Sequence, residues 1–209
     1  MKVAALVGRT DQALKQRARG VDISVAQGTE AGGLTGEVAT MVLTPEVVDA
    51  VSPAPVLAAG GIGNGRQVAA ALALGAQGVW TGSVWLDTEE CGQPEAMRRK
   101  FHAAAATDAV RSRAYTGKPA RQLRTAWTEA WDDPANPRPL GMPLQYMLNA
   151  EAQDRIRRSG NETLLGTPIG QLVGSMTRTR TVAEVVSALR EEYDRTVAGL
   201  PRSAATVAP

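Results

Sequence analysis

The residues with the clearest chemical potential are glycines that close apolar runs. Val56-Leu57-Ala58-Ala59 ends in Gly60-Gly61-Ile62-Gly63, and Gly78-Val79-Trp80 ends in Thr81-Gly82-Ser83. A glycine has no Cβ, so its backbone amides can come close to a ligand. Amides at a helix start favour an anion. Two such turns after adjacent parallel strands make a cup for a phosphate. Each turn taken alone is an ordinary strand-to-helix connection; their pairing at this spacing favours phosphate. Thr81 and Ser83 fit both readings, because hydroxyls that cap a helix also suit a phosphate. A third glycine-rich loop, Thr29-Glu30-Ala31-Gly32-Gly33-Leu34-Thr35-Gly36, follows an apolar run that ends at Gln27-Gly28.

Other reactive types are sparse. His102 is the only histidine, which argues against a histidine-based metal site, and it falls on a helix surface. Cys91 is the only cysteine, and Glu89 and Glu90 beside it are poor surroundings for a nucleophilic thiolate. Glu30 is either a base or a solvated loop carboxylate. Lys118, Arg121 and Arg124 either hold an anionic group or form a solvated face. Trp127 and Trp131 are four apart and share one helix face, where core packing is the default.

These residues are carried by alternating strand and helix patterns. Strands are expected over 3–7, 21–26, 55–59 and 78–81. Helices are expected over 11–19, with Thr10 or Asp11 as cap, over 41–51 with Pro45 in the first turn, and over 65–74. Strand, glycine turn, helix in repetition predicts an α/β fold with a parallel sheet. After Leu86 the pattern changes. An alanine-rich helix is expected over 94–114, a basic stretch over 116–124, and helices over 126–131, 144–158 and 181–198. The last is the best patterned, with Val182, Val185, Val186, Leu189 and Tyr193 at spacings of three or four. Four regions follow: 1–100, 101–165 as a small helical cap, 166–200 returning to the first region, and 201–209 as a disordered tail.

Composition narrows the function classes. A net charge of +2 on 209 residues, with basic residues scattered, gives no case for nucleic acid. No apolar run approaches the ~20 residues of a membrane span. The N-terminal apolar stretch is too short for a signal peptide. One cysteine excludes an internal disulfide framework and fits a reducing cytoplasm.

The three glycine motifs in this order, over 25–36, 58–63 and 78–83, resemble the nitronate monooxygenase family, formerly called 2-nitropropane dioxygenase. TGKPAR with LRTAW, then PLGMPLQ and GQLVG, are similar to that family's smaller domain. The resemblance implies an FMN-dependent TIM barrel with a small helical domain over its mouth. It assigns the flavin phosphate to Gly60 and Gly61 on one turn and to Trp80, Thr81, Gly82 and Ser83 on the next. It places Gln27 near the isoalloxazine ring and Gly32 against the flavin.

Two departures shape the expectation. A TIM barrel closes with eight strands, and four are present, so the chain is expected to be the C-terminal half of such a barrel. A half barrel leaves open sheet edges and a bare inner face, for which a homo-oligomer or a partner chain supplying the other half is expected. The second departure is at Leu34. The family carries its catalytic histidine there, in the pattern Gly-Gly-His-Thr-Gly, and leucine cannot move a proton. Three functions stay open. One is FMN-dependent oxidation of a nitronate or similar small substrate with oxygen. Another is NAD(P)H-dependent flavin reduction of an enoyl or steroid-derived acyl-CoA thioester. The third is an inactive half barrel or subunit.

Overall fold

Four short strands carry the glycine turns, and each is followed by a helix or turn that returns the chain to the same end. The computed structural model describes residues 1–200; the tail expected over 201–209 lies outside the described residues. The strands are β1 (Ala4–Val7), β2 (Ile23–Gln27), β4 (Val56–Ala59) and β5 (Gly78–Trp80). They form a parallel sheet in the order β1-β2-β4-β5. Helices α1 (Thr10–Ala18), α2 (Thr40–Val51) and α3 (Gly65–Ala73) make the connections. With β1 and β5 as edges the sheet is open, so the fold is a partial TIM barrel.

The two faces of this sheet differ because side chains alternate along a strand. Val7, Ala26, Val56 and Ala58 face the helices and are buried. The α2 residues Leu43, Val47 and Val51, spaced by four, pack on Val7, Ala26 and Val56. On the opposite face Leu6 is 53% exposed and Trp80 at the strand end is 47% exposed, while Val25 between them is buried.

A second, antiparallel sheet has the order β3-β7-β6, from β3 (Gly33–Leu34), β6 (Ala109–Ser112) and β7 (Ala120–Leu123). Helices α4 (Glu95–Ala103), α5 (Ala126–Asp132), α6 (Leu144–Ser159) and α7 (Val182–Gly199) complete the chain. Phe101, Leu123, Ile156, Ile169 and Val173 share one core beneath the small sheet.

Several expected elements are corrected. The helix expected over 94–114 stops at Ala103, and its second half is β6. Asp108 accepts the amide of Ala105 at 2.8 Å, which turns the chain, and pairing with β7 outweighs alanine's helix preference. The basic stretch contains β7, every residue of which is buried. Helix α1 starts at Thr10 with Arg9 in the cap position, so neither Thr10 nor Asp11 is its cap. Pro45 falls beyond the first turn, because Glu30 fixes the start of α2 at Thr40. On α7 only Val185 of the expected stripe is fully buried; Val182 and Val186 are exposed.

Candidate functional site

At the C-terminal end of the parallel sheet, a cavity of about 330 Å³ opens between the glycine turns and the segment 168–172. Gln27, Gly32, Gly60, Gly61, Trp80, Thr81, Gly82 and Ser83 all line it, with Leu6 and Leu172 as apolar wall. The register explains the convergence. Gln27 pairs with Ala59, and Ala59 pairs with Trp80, so three strands end at one level.

The wall is backbone at the points that matter. Gly60 has φ +106° and Gly61 has φ +69°, conformations that L side chains rarely adopt. A Cβ on Gly32 would sit 2.7 Å from the carbonyl carbon of Ile169, and one on Gly170 would sit 2.7 Å from the Glu30 oxygen. The 168–172 segment can therefore cross the loop over 28–36 only where both chains carry glycine. Gln171 donates its amide to the Glu30 carbonyl at 2.9 Å, and Gly170 donates its amide to Ser83 Oγ at 2.8 Å. Thr81 Oγ1 accepts the Trp85 indole N–H at 3.0 Å. Among the described residues, the backbone amides of Gly61, Ile62, Gly82 and Ser83 donate to no protein acceptor. Four N–H groups on two neighbouring turns are thus free for an anion.

The helix behind the first turn is fixed at both sides. Asn64 caps α3 in a reciprocal pair with Gln67, and Gln67 Oε1 also accepts the Gly63 amide at 2.8 Å. Gly65 donates its amide to Glu192 Oε2 of α7 at 2.9 Å, and Arg66 pairs with the same carboxylate at 3.1 Å. A Cβ on Gly65 would lie 2.5 Å from the Glu192 carbonyl carbon. These residues position the turn, and the turn motifs themselves carry no sign of the role of α7.

Glu30, left open in the sequence between a base and a solvated carboxylate, is held against the start of α2. Its oxygens accept the Thr40 amide at 3.1 and 3.0 Å and the Thr40 hydroxyl at 2.9 Å, so it caps α2 from outside. The basic trio also separates. Arg121 is buried, donates Nε–H to the Thr29 carbonyl at 2.7 Å and reaches the Ala109 carbonyl, tying the glycine loop to the small sheet. Burial, with Arg111 opposite it in the sheet, lowers its pKa from the ordinary arginine value. Arg124 pairs with Asp108, and Lys118 is exposed. His102 is more than a surface residue: its Nε2 lies 2.8 Å from buried Asp87, which also accepts the Thr179 hydroxyl at 3.0 Å. Trp127 packs beside the small-sheet core, 6.0 Å from Trp131 between ring centroids.

Leu34 does not enter this cavity. It pairs with Ala120 in the small sheet and is 46% exposed on the wall of a second, larger chamber of about 650 Å³. The two spaces share only Pro168, with Gly32 on the wall of one and Gly33 on the wall of the other. No described helix is long and apolar enough to cross a membrane.

Known proteins share this sequence and architecture. The chain is 58% identical over 204 residues to a Mycobacterium tuberculosis protein named "Putative monooxygenase Rv1533", covering 95% of this chain and 54% of that one. Over 134 residues it is 41% identical to a Rhodococcus jostii protein, (3aS,4S,5R,7aS)-5-hydroxy-7a-methyl-1-oxo-octahydro-1H-indene-4-carboxyl-CoA dehydrogenase, covering 64% of this chain and 38% of that one. The fold superposes on nitroalkane oxidase from Streptomyces ansochromogenes with a TM-score of 0.85 and 28% identity, covering 96% of this chain and 60% of that one. The chain thus spans about half the length, or less, of these two curated relatives. The family model described as nitronate monooxygenase matches residues 2–192, so the chain belongs to the nitronate monooxygenase family.

Proposed function

We propose that this chain holds the phosphate of FMN in an oxidoreductase, with the amides of Gly61, Ile62, Gly82 and Ser83 as donors. The observation that supports it is the set of unpaired amides on two adjacent turns that line one cavity. Their chemistry fits the group: oriented N–H donors stabilise a phosphate without a competing side chain. Gln27 and Gly32, on the same wall, are assigned to the flavin ring. Bound flavin would supply the two-electron exchange with substrate.

The first substrate reading is oxidation of a nitronate with oxygen as electron acceptor, in line with the family and with the likeness to nitroalkane oxidase. A second reading is NAD(P)H-dependent reduction of an enoyl or steroid-derived acyl-CoA thioester. Leu34 favours it, because this position offers no proton and faces a large chamber. The likeness to a carboxyl-CoA dehydrogenase agrees with it. In either reading the other barrel half comes from a second chain or a further segment covering the open sheet edges and the exposed face at Leu6 and Trp80. A cytoplasmic setting suits the exposed free thiol of Cys91.

The test is a titration of the purified protein with FMN and with riboflavin, which lacks the phosphate. FMN should bind at least about tenfold more tightly; equal affinities would overturn the assignment. Gly82→Asp sharpens it, since a Cβ there meets nothing within 4 Å. That variant should fold and lose the preference for FMN through charge repulsion. Leu34→His then separates the substrate readings: it should raise nitronate-dependent oxygen uptake under the first and leave thioester-dependent NAD(P)H oxidation unchanged under the second.

A further inference from the structure

The two turns that form the cup also have an outer side. Behind them lies a smaller cavity of about 210 Å³. It shares only Leu172 with the cup, and the residues that continue the two turns, Gly63 and Val84, stand in its wall. Arg178 and Arg180 line it as well. They belong to the stretch that leads into α7. Thr179 between them stays off the wall and gives its hydroxyl to Asp87 at 3.0 Å. With the middle residue turned inward, its two neighbours fall on the cavity side. Arg178 is exposed and Arg180 is half-buried, so a ligand can reach both.

The backbone that carries these arginines is pinned. The Arg180 carbonyl accepts the Glu89 amide at 3.0 Å, and Arg180 bridges Thr88. The Val182 amide donates to the Glu90 carboxylate at 3.0 Å. The nearby acids are already engaged. Asp87 lines the cavity too, but it is buried, with one oxygen on Thr179 and the other 2.8 Å from His102 Nε2. Glu184 accepts the Thr181 amide at 2.8 Å, and Glu192 holds Gly65 and Arg66. Among the described residues neither Arg178 nor Arg180 is left with an ion-pair or side-chain hydrogen-bond partner. Both nevertheless act on one point. Hydrogen bonds from Thr181, then the charges of Arg178 and Arg180, hold the Glu184 carboxyl below its ordinary value. Two unpaired guanidiniums on a fixed backbone thus converge beside one cavity.

Size and charge set the ligand. The volume is below the roughly 300 Å³ at which sites for whole cofactors begin, and suits a single polyatomic anion. Arginine's planar fork donates paired N–H groups to phosphate oxygens. Two forks match a phosphate, which carries close to two charges near neutrality, better than a carboxylate, which carries one. We infer that Arg178 and Arg180 bind a phosphate group on the outer side of the turns, either the free ion or the monoester arm of a larger molecule. This site is separate from the flavin reading and stands without it.

The test is a titration of the flavin-free protein at constant ionic strength, followed by nitrogen–proton NMR. The side-chain Nε–H signals of Arg178 and Arg180 report this site, and the backbone amides of Gly61 and Gly82 report the cup. Inorganic phosphate, methyl phosphate and acetate are the probes. Phosphate should move both arginine signals saturably, and acetate should bind at least about tenfold more weakly. Methyl phosphate binding as tightly as the free ion would assign the site to a monoester arm; binding of inorganic phosphate alone would assign it to the ion. Arg178→Gln and Arg180→Gln should each weaken the response of the remaining arginine about tenfold and leave the melting temperature unchanged, since neither guanidinium has a protein partner. Arginine signals that drift without saturation, or that follow acetate as closely as phosphate, overturn the inference. So does a phosphate response confined to Gly61 and Gly82, which leaves the cup intact and removes this site. The reverse, with arginines responding and the cup silent, would count against the flavin reading alone. If a Gln variant fails to fold, Arg178→Lys and Arg180→Lys keep the charge without the fork; each should weaken phosphate severalfold, and unchanged affinity in both would overturn the inference.

Discussion

The two cavities are built from opposite materials. The cup at the end of the parallel sheet is made of backbone: free amides on glycine turns, with positive φ at Gly60 and Gly61 and no room for a Cβ at Gly32 or Gly170. The chamber beside the small sheet is made of side chains: the carboxamides of Gln93, Gln122, Asn149 and Gln153, the phenols of Tyr115 and Tyr146, and an apolar lining. Backbone sites are selected against added atoms. Side-chain sites are selected for particular functional groups and tolerate changes of bulk elsewhere. The difference says where each cavity is fragile and which substitutions will separate them.

The largest expected effect ignores the division. Gly32→Ala places a Cβ against the Ile169 backbone, where neither chain can yield cheaply. A loss of about 3 kcal/mol is expected, seen as a fall in melting temperature together with loss of FMN binding. An unchanged melting temperature would sink the claim that backbone contact fixes the cup. Next is Glu30→Ala, which removes the external cap of α2. It should cost about 1–2 kcal/mol in chemical denaturation and weaken FMN binding. Glu30→Gln should recover part of it; no recovery would assign the effect to something other than the cap. Gly61→Ala should cost about 1 kcal/mol, because φ is +69° while the new Cβ meets only the Glu30 side chain at ordinary contact distance. Its melting temperature should fall less than that of Gly32→Ala, and an equal fall would break this ranking.

The smallest effect belongs to the chamber and to alkaline pH. Burial raises the Tyr115 pKa above the ordinary tyrosine value. The unfolded chain releases that proton near pH 10 while the folded chain keeps it, so unfolding is favoured as pH rises between the two values. The stabilisation is complete below the unfolded pKa and is lost as pH climbs through the folded one. Tyr115→Phe should flatten this part of the stability profile above about pH 10. A Phe variant that loses stability there as steeply as wild type would show that the phenol is not the titrating group.

The same contrast decides how much of each cavity is legible in the sequence. Glycine turns after apolar runs are local patterns, so Gly60, Gly61, Gly82 and the four parallel strands can be read directly. Gln27 and Gly32 come only through family likeness, since one polar residue after a strand says little. The chamber is not legible because its face of α6 is polar inside: Gln145, Asn149 and Gln153 are buried while Leu144, Tyr146, Met147 and Leu148 are exposed. A period read from apolar residues points to the wrong side of that helix. Nor can local pattern reveal β6, where alanine-rich sequence favours helix and only pairing with β7 makes a strand. The roles of Glu30 and Arg121 depend on partners 10 and 92 residues away, beyond the reach of any window of neighbours.

The Glu192 contact that holds the start of α3 has a consequence in time. Glu192 lies 127 residues beyond Gly65, and at about 5–20 residues per second the ribosome needs roughly 6 to 25 seconds to make that interval. Through that delay the nascent turn exists without its latch. The proposed flavin cup is thus completed late in translation, and a pause or cleavage before residue 192 would leave every glycine of the cup in place and its first turn unlatched.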